Sequence, residues 1–490
     1  MALETDHFFG FGTALLSRLF ISSPMKSFYA DRAVRQRLVE FLGGESLETA
    51  TALYLSHLDG CHFQRSELHP PGDLQWFHDR ELDIARSLAD RHSLLLHLDV
   101  EYVNFDAPAE AYVDPWRTFE LQEPVVRVIE ELLVSWGIQP LHLITGQGHH
   151  FVWRVGLHSE VGRRLAELAP APELVGACLE RLGGGVAATV TQELQEAFSA
   201  TSLLIEFVAH RIKAAAAPLS WLPVEMTAVH VGPSTTHQRE MISIDISEYG
   251  DPLHTRLVRM PFTNYLKPWL TGLARDLGIE GELPWFRAIP LHEMDVRQAI
   301  KVRQDDNDVK ALARRANVRI PLQEEGTSRL LDQYLQSGLR KFHCHFYDTQ
   351  HDPRHTWPER YARTPLEPLP PCVRTLLQWP NDRLLKPAGM QHVTRTLLAE
   401  GWHPRHIAGL IRSKFEDSSH GWDGCWQDYE PGTRADFYTR VFAGQRATGA
   451  DRLVDFNCTS TQEKGFCPGP APGGCSLQHH HQLLTHPPTP

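Results

Sequence analysis

One stretch, Ser93 to Phe105 (SLLLHLDVEYVNF), restricts the fold more than any other part of this chain, because an apolar run there carries two carboxylates, Asp99 and Glu101, near its end. In an extended strand, residues two apart point to the same face, so Asp99 and Glu101 project together while Leu98, Val100 and Tyr102 face the other way. Neighbouring carboxylates repel, and a chain that sets them at the end of a buried strand commonly neutralises them with a divalent cation, magnesium or manganese. The competing reading is a strand end that emerges into solvent with both acids hydrated. The rest of the chain has to decide between the two.

With 490 residues, 42% of them hydrophobic, the chain can bury a sizeable core and is expected to hold two or three domains. The N-terminus lacks the order of basic region, apolar core and cleavage site of a signal peptide, and no apolar run approaches the length of a membrane span. No membrane partner is expected, and the expected location is cytoplasmic. A formal net charge of -12 argues against a general nucleic-acid coat protein, so any nucleic-acid contact must come from local basic patches and be salt-sensitive. Eight cysteines in an apparently cytosolic chain of this length are read first as metal or cluster ligands where they gather, not as a disulfide framework.

Up to about Gly72 the pattern is helical and mixed, with RAVRQRLVEF stopped at Gly43 and Gly44. WFHDRELDIARSLADRH then reads as an amphipathic helix leading into the acidic strand, with Arg80, Arg86 and Arg91 on a solvated face. After the strand, EPVVRVIEELLVSW is a helix closed by Gly137. PLHLITGQGHHFVWRV reads as strand, glycine turn, strand. Gly146 and Gly148 let the backbone approach a ligand such as a phosphate, and a histidine on the following strand adds a donor. His149 and His150 face opposite sides, and His150, which shares its face with Val152 and Arg154, is the choice for the contact. The alternative is a plain hairpin with a surface histidine.

From Leu157 to about Val231 the chain is alanine-rich and helical, with Cys178 as a small core residue. MISID then forms a strand ending in Asp245, followed by a turn at Gly250-Asp251-Pro252 and a strand HTRLVRMP. Arg256 and Arg259, three apart, do not share a strand face, so they serve different partners or one lies at a bend. A salt-bridged hairpin is the bland alternative.

Three carboxylates from two strands, a glycine turn with a histidine, and downstream arginines are the parts needed for two-metal nucleotidyl transfer. LHLDVEY, TGQGHHFVW and SIDISEY with HTRLVRMP together resemble the three ordered motifs of the archaeo-eukaryotic primase superfamily, over roughly the first two-thirds of the chain. The resemblance implies an α/β (α+β) primase-polymerase catalytic domain with a carboxylate-bearing sheet. It makes Asp99, Glu101 and Asp245 the ligands of two Mg2+ or Mn2+ ions. It puts His150 on the phosphates of the incoming nucleotide, with Thr145, Gly146 and Gly148 forming the turn and Arg256 and Arg259 a basic pair nearby. The family's small zinc motif has no convincing CxxC counterpart in this region, and HCH at His343 to His345 reads as a packed or surface segment.

Residues 321–371 lose periodicity and read as a linker, ending EPLPPC. CVRTLLQ, GMQHVTRTLLAEGW and HPRHIAGLIRSKF are then helical. Cys372 stands before them, and Cys458, Cys467 and Cys475 follow in a Gly/Pro-rich segment. Four thiolates so arranged suit a tetrahedral zinc or a [4Fe-4S] cluster. The segment is similar to the iron-sulfur domain of the primase large subunit in its P-P-C start, its G-M-Q helix opening and its late G-F-C-P. That likeness favours the cluster, with Cys372, Cys458, Cys467 and Cys475 as ligands and Cys425 as competitor. Where the family commonly has an arginine before M-Q this chain has Gly389, with Lys386 and His392 as the nearby sources of charge.

The expected organisation is therefore a catalytic domain over 1–320, a linker over 321–371, a mostly helical iron-sulfur domain over 372–477 and a disordered tail over 478–490. The expected activity is that of a primase or primase-polymerase. Single-stranded DNA, NTPs or dNTPs, and a replicative helicase or other replication proteins are its expected partners, at a nucleoid-associated site. Two alternatives stand beside it: a primer-extending repair polymerase of the same superfamily, or a catalytically inactive nucleic-acid-binding module of a defence or plasmid system.

Overall fold

The acidic strand, Ser93–Asn104, lies in the middle of a six-stranded sheet and is hydrogen-bonded along both edges. The computed structural model describes residues 28–59, 62–63, 68–182, 184–229, 239–380, 384, 386–421, 429–469 and 475–486. Among these, Leu55–Asp59 (β1), His62–Phe63 (β2), Ile84–Ser87 (β3) and Leu257–Arg259 (β9) form a small antiparallel sheet in the order β2-β1-β3-β9. The larger sheet contains Ser93–Asn104 (β4), Leu141–Ile144 (β5), Gly148–Gly156 (β6), Val224–Met226 (β7), Glu240–Asp245 (β8) and Ile289–Pro290 (β10), in the order β10-β5-β6-β4-β8-β7. Only β7 and β8 run parallel.

Burial along β4 explains how a continuous apolar run ends in an acidic site. Residues 93–98 are buried on both faces, and alternation begins at Asp99, from which every second residue opens toward solvent. The glycine turn and the strand pair around it match the sequence pattern, as does the helix closed by Gly137, whose φ is 73°. That helix starts earlier than expected, spanning Pro115–Trp136 with Pro124 inside it and the Asp114 side chain capping Arg117 N.

Other expectations are corrected. The segment read as one amphipathic helix before β4 is a short helix, Leu74–Asp79, followed by β3. Glu81 adopts a φ of 55°, which stops the helix. Ile84–Ser87 is buried at every position, between β1 and β9, so it has no solvated face. Arg86 lies inside, donating to the carbonyl oxygens of Phe41 and Ser87 and paired with Asp90. MISID and RLVRMP do not form a hairpin, because β8 and β9 belong to different sheets. Residues 321–371 contain two helices, Glu324–Leu335 and Gly338–Tyr347, that pack on the rest of the chain. Leu477–Thr485 is a helix with Leu477 and His480 buried where a disordered tail is expected.

The expected catalytic and carboxy-terminal parts share one continuous apolar core running from Phe28 to Leu477. The helix Gln192–Ala216 is buried on nearly every side and is linked to the Pro431–Ala447 helix by side-chain contacts, among them Lys213 Nζ to Gln445 Oε1 at 2.9 Å. From the helix Pro431–Ala447, Arg440 Nε reaches Glu206 Oε2 at 2.8 Å, with neither side chain more than 4% exposed. Burial would raise the Glu206 carboxyl, but Arg440 and His343 outweigh it and hold it down to about 2. Stripping one partner from such a buried pair costs about 3–5 kcal/mol, so the carboxy-terminal helices are integral to the fold. His343 of the HCH segment is fully buried here, bonded to the Tyr334 hydroxyl, while Cys344 is exposed. Among the described residues no helix is long and apolar enough to cross a membrane.

Candidate active site

Strand register assembles the site. Asp99 lies directly opposite Asp245 on β8 and directly opposite His150 on β6, so the three side chains form one row across β8, β4 and β6. Glu101, two residues on, shares the face and is paired with Ser243 and Gly148. Directly opposed residues share a sheet face with Cβ atoms about 5 Å apart, and like charges so placed repel. The row lines an open cleft of about 220 Å³, which Leu58 of β1 and Leu257 and Arg259 of β9 also line.

His150 is the histidine on this face: its Nε2 stands 3.3 Å from Asp99 Oδ1. His149 points to the opposite face, where Nδ1 meets His142 Nε2 at 2.8 Å and the ring packs on Phe119. Burial first of all pushes the His150 imidazole well below its usual pKa, so in the ligand-free chain it is a neutral donor.

The glycines are also needed for packing within the protein. A Cβ on Gly148 would overlap the Val100 carbonyl, and one on Gly146 would overlap the Tyr265 ring, so both are required by close protein packing. Thr145 closes the turn, its N–H and hydroxyl both donating to the Gly148 carbonyl. Gln147 within the turn donates to Glu101 Oε2 at 2.6 Å and accepts from the Tyr112 hydroxyl at 2.6 Å, which fixes the second carboxylate.

Arg256 and Arg259 both line the cleft, but each is committed to a buried aspartate, Arg256 to Asp251 and Arg259 to Asp83. Arg256 sits at the bend after a short 3-10 turn and Arg259 at the end of β9, which is how residues three apart reach one cavity. Arg434 also contacts Asp251, at 3.2 Å, tying the Pro431–Ala447 helix to this wall.

The cation that sequence reasoning missed is Lys267. It lines the cleft 4.0 Å from Glu101 Oε1, and Glu101 first of all raises its pKa. No local pattern points to it, since it stands at the start of the four-residue helix Lys267–Leu270 in a loop-rich stretch. Glu248 and His97 were also missed, although His97 is two residues before Asp99 and the same alternation places it on the same face.

Among the described residues no group of three or more His, Cys, Asp or Glu side chains is arranged so that it could hold a metal ion as it stands. The acidic group nevertheless fits a divalent cation. Asp99 is 20% exposed, and its Oδ1 has no hydrogen-bond partner among the described residues. Burial first, then Glu101, Asp245 and Glu248, raise its pKa well above the usual carboxylate value.

The four thiols expected to act together lie within electrostatic reach of one another, but not in an arrangement that holds a metal as it stands. Cys458 shares a side-chain hydrogen bond with Cys475 and feels Cys467, while burial and then Cys475 push the Cys372 thiol up to about 12. Thiols that raise one another's pKa are held back from ionising together, a penalty that a metal bound among them would remove. His392 Nε2 lies 3.1 Å from Cys372 Sγ, and burial, with Lys464 and Arg395, lowers the imidazole to about 3. Lys386 is exposed, and Cys425 lies outside the described residues.

Comparison with protein-family models, with curated proteins and with solved structures finds no match for the chain.

A carboxyl whose folded pKa lies above its unfolded value binds its proton more tightly when folded, so its charge subtracts stability above that pKa and has no effect below both. Asp99→Asn is therefore predicted to stabilise the metal-free chain at pH 7 by on the order of 1 kcal/mol, with the gain vanishing near pH 3. Urea unfolding at the two pH values in the presence of a chelator checks this. Equal stability of the two proteins at pH 7 would mean that the acidic row is not strained.

Proposed function

We propose that this chain is a template-directed nucleotidyltransferase, a primase or primase-polymerase that joins nucleotides on single-stranded DNA. The observation that carries the reading is the row Asp245, Asp99 and His150 across three adjacent strands, with Glu101 beside it, on the floor of a cleft whose far rim bears Lys267. Three acceptor carboxylates beside a neutral imidazole and an ammonium match a polyphosphate substrate that arrives with divalent cations.

Asp99, Glu101 and Asp245 would hold two Mg2+ or Mn2+ ions. Bound there, the ions supply an acidified attacking hydroxyl and charge compensation for the leaving pyrophosphate. The chain's own residues then divide the work. Gln147, held by Tyr112, keeps Glu101 from turning away from Asp99. His150 donates to a phosphate oxygen from the floor, and Lys267 does so from the rim once Glu101 is compensated by cations and releases it. Arg256 and Arg259 contribute positive potential while their aspartates fix them in the wall.

In this reading Cys372, Cys458, Cys467 and Cys475 hold a [4Fe-4S] cluster, with zinc as the alternative occupant, and the carboxy-terminal helices present template or initiating nucleotide to the cleft. Their shared core with the catalytic sheet keeps that surface at a fixed place.

Incubation with unprimed single-stranded DNA, labelled NTPs or dNTPs and either metal is predicted to give short products from the wild type and none from Asp99→Ala. Extension of supplied primers alone would reassign the chain to primer-extending repair synthesis, and equal activity of the variant would overturn the site. Protein purified without oxygen is predicted to contain iron and labile sulfide that Cys475→Ser loses. Zinc without iron would replace the cluster with a structural zinc.

A further inference from the structure

One side chain of the cleft has no part in phosphate binding or in fixing Glu101. His97 is 3% exposed and lies on the cleft face of β4, two residues before Asp99. Its main chain is clamped by the Tyr249 hydroxyl, which accepts from the His97 N–H at 3.0 Å and donates to its carbonyl at 2.9 Å. Its ring Nδ1 is 2.9 Å from Glu248 Oε1. A carboxylate only accepts, so in this pair Nδ1 carries the ring hydrogen.

In the neutral ring Nε2 is then the nitrogen with a free lone pair. It is buried, without a hydrogen-bond partner among the described residues, in a side chain that lines the cleft with Asp99, Glu101 and Asp245. His150 cannot satisfy it by spare donation from Nε2, because that atom faces Asp99; the two imidazoles meet edge to face, with centroids 4.6 Å apart. A buried acceptor among acceptors is relieved by a cation. A ligating imidazole whose other nitrogen donates to a carboxylate is a recurrent arrangement in metal sites, because the carboxylate fixes the tautomer and raises the basicity of the ligating nitrogen.

We propose that His97, oriented by Glu248, is a nitrogen ligand to the cation held by Asp99 and Asp245, and that the site thereby selects a first-row transition ion such as Mn2+ or Co2+ over Mg2+. Mg2+ demands oxygen ligands in near-ideal octahedral geometry and sheds water reluctantly, whereas imidazole suits the transition series. Sequence reasoning gives the carboxylates without distinguishing the ion; the nitrogen donor makes that distinction. The inference rests on the cation-binding part of the proposed function and on neither DNA nor nucleotide.

The test uses the full chain, cleared of metal and without nucleic acid or nucleotide. Free Mn2+ is followed by electron paramagnetic resonance, Mg2+ by competition against it, and the bound Mn2+ by spin-echo modulation from nitrogen. The wild type is expected to bind Mn2+ at least about tenfold more tightly than Mg2+ and to show nitrogen modulation that persists in His150→Ala. His97→Ala is expected to lose the modulation and to weaken Mn2+ binding by about tenfold or more, while Mg2+ changes by less than about twofold. Glu248→Gln is expected to keep the modulation and loosen Mn2+ by about tenfold. Circular dichroism monitors folding, and His97→Gln serves where the alanine variant does not fold.

Absence of nitrogen modulation in the wild type, or its survival with unchanged affinity in the folded His97 variant, overturns the proposal. If Asp99→Ala abolishes Mn2+ binding in that case, the carboxylate cation site stands without His97. If the wild type binds neither ion, the cation-dependent reading of the whole site falls with it.

Discussion

Asp99 and Asp245 face each other across adjacent strands in the middle of a sheet, with Glu101 one step along and Glu248 at the margin. Such a row is unfavourable by itself: burial and mutual repulsion both act against the charged forms. Splaying the strands would relieve the repulsion, but β4 is hydrogen-bonded on one edge to β6 from Ser93 to Glu101 and on the other to β8 from Asp99 to Asn104. The acidic row thus persists because the sheet overrides it. A site strained in the empty chain and relieved by cations follows from that competition.

The surroundings of the row obey the same economy of charge. Asp83 and Asp251 each take an arginine out of the cleft's free positive charge, and Arg434 adds the carboxy-terminal helix to the second of these pairs. Lys267, held more loosely at 4.0 Å from Glu101, responds most directly to compensation of that carboxylate. The Glu206–Arg440 pair and the common apolar core extend the rigidity of the sheet into the carboxy-terminal helices, so the thiol group and the cleft belong to one body of packed elements. His97, oriented by Glu248, sets a second imidazole beside His150 among the carboxylates of the cleft.

Much of the site was legible because it is written in period two. Alternation places Asp99 with Glu101, separates His150 from His149, and identifies MISID as a strand ending in Asp245. The register that juxtaposes the three motifs is a tertiary fact, and only the family resemblance anticipated it. What the sequence hid lies where local pattern and final environment differ. Ile84–Ser87 lies in a run whose charges, Arg80, Arg86 and Arg91, mimic the face of an amphipathic helix, yet Arg86 is buried and its polar atoms are satisfied by main-chain oxygens and Asp90. Gly146 and Gly148 look like ligand-facing glycines, whereas the Tyr265 ring and the Val100 carbonyl claim the space. Lys267 belongs to no periodic element, and the helices within 321–371 and 477–485 are short segments stabilised by packing against distant partners.

The most direct measurement is anomalous diffraction from crystals of the full chain grown with Mn2+ and a non-hydrolysable nucleoside triphosphate. The account predicts anomalous peaks bridging Asp99, Glu101 and Asp245, with the phosphates between His150 and Lys267. Nucleotide or metal bound away from this row, with the carboxylates contacting neither, would contradict it.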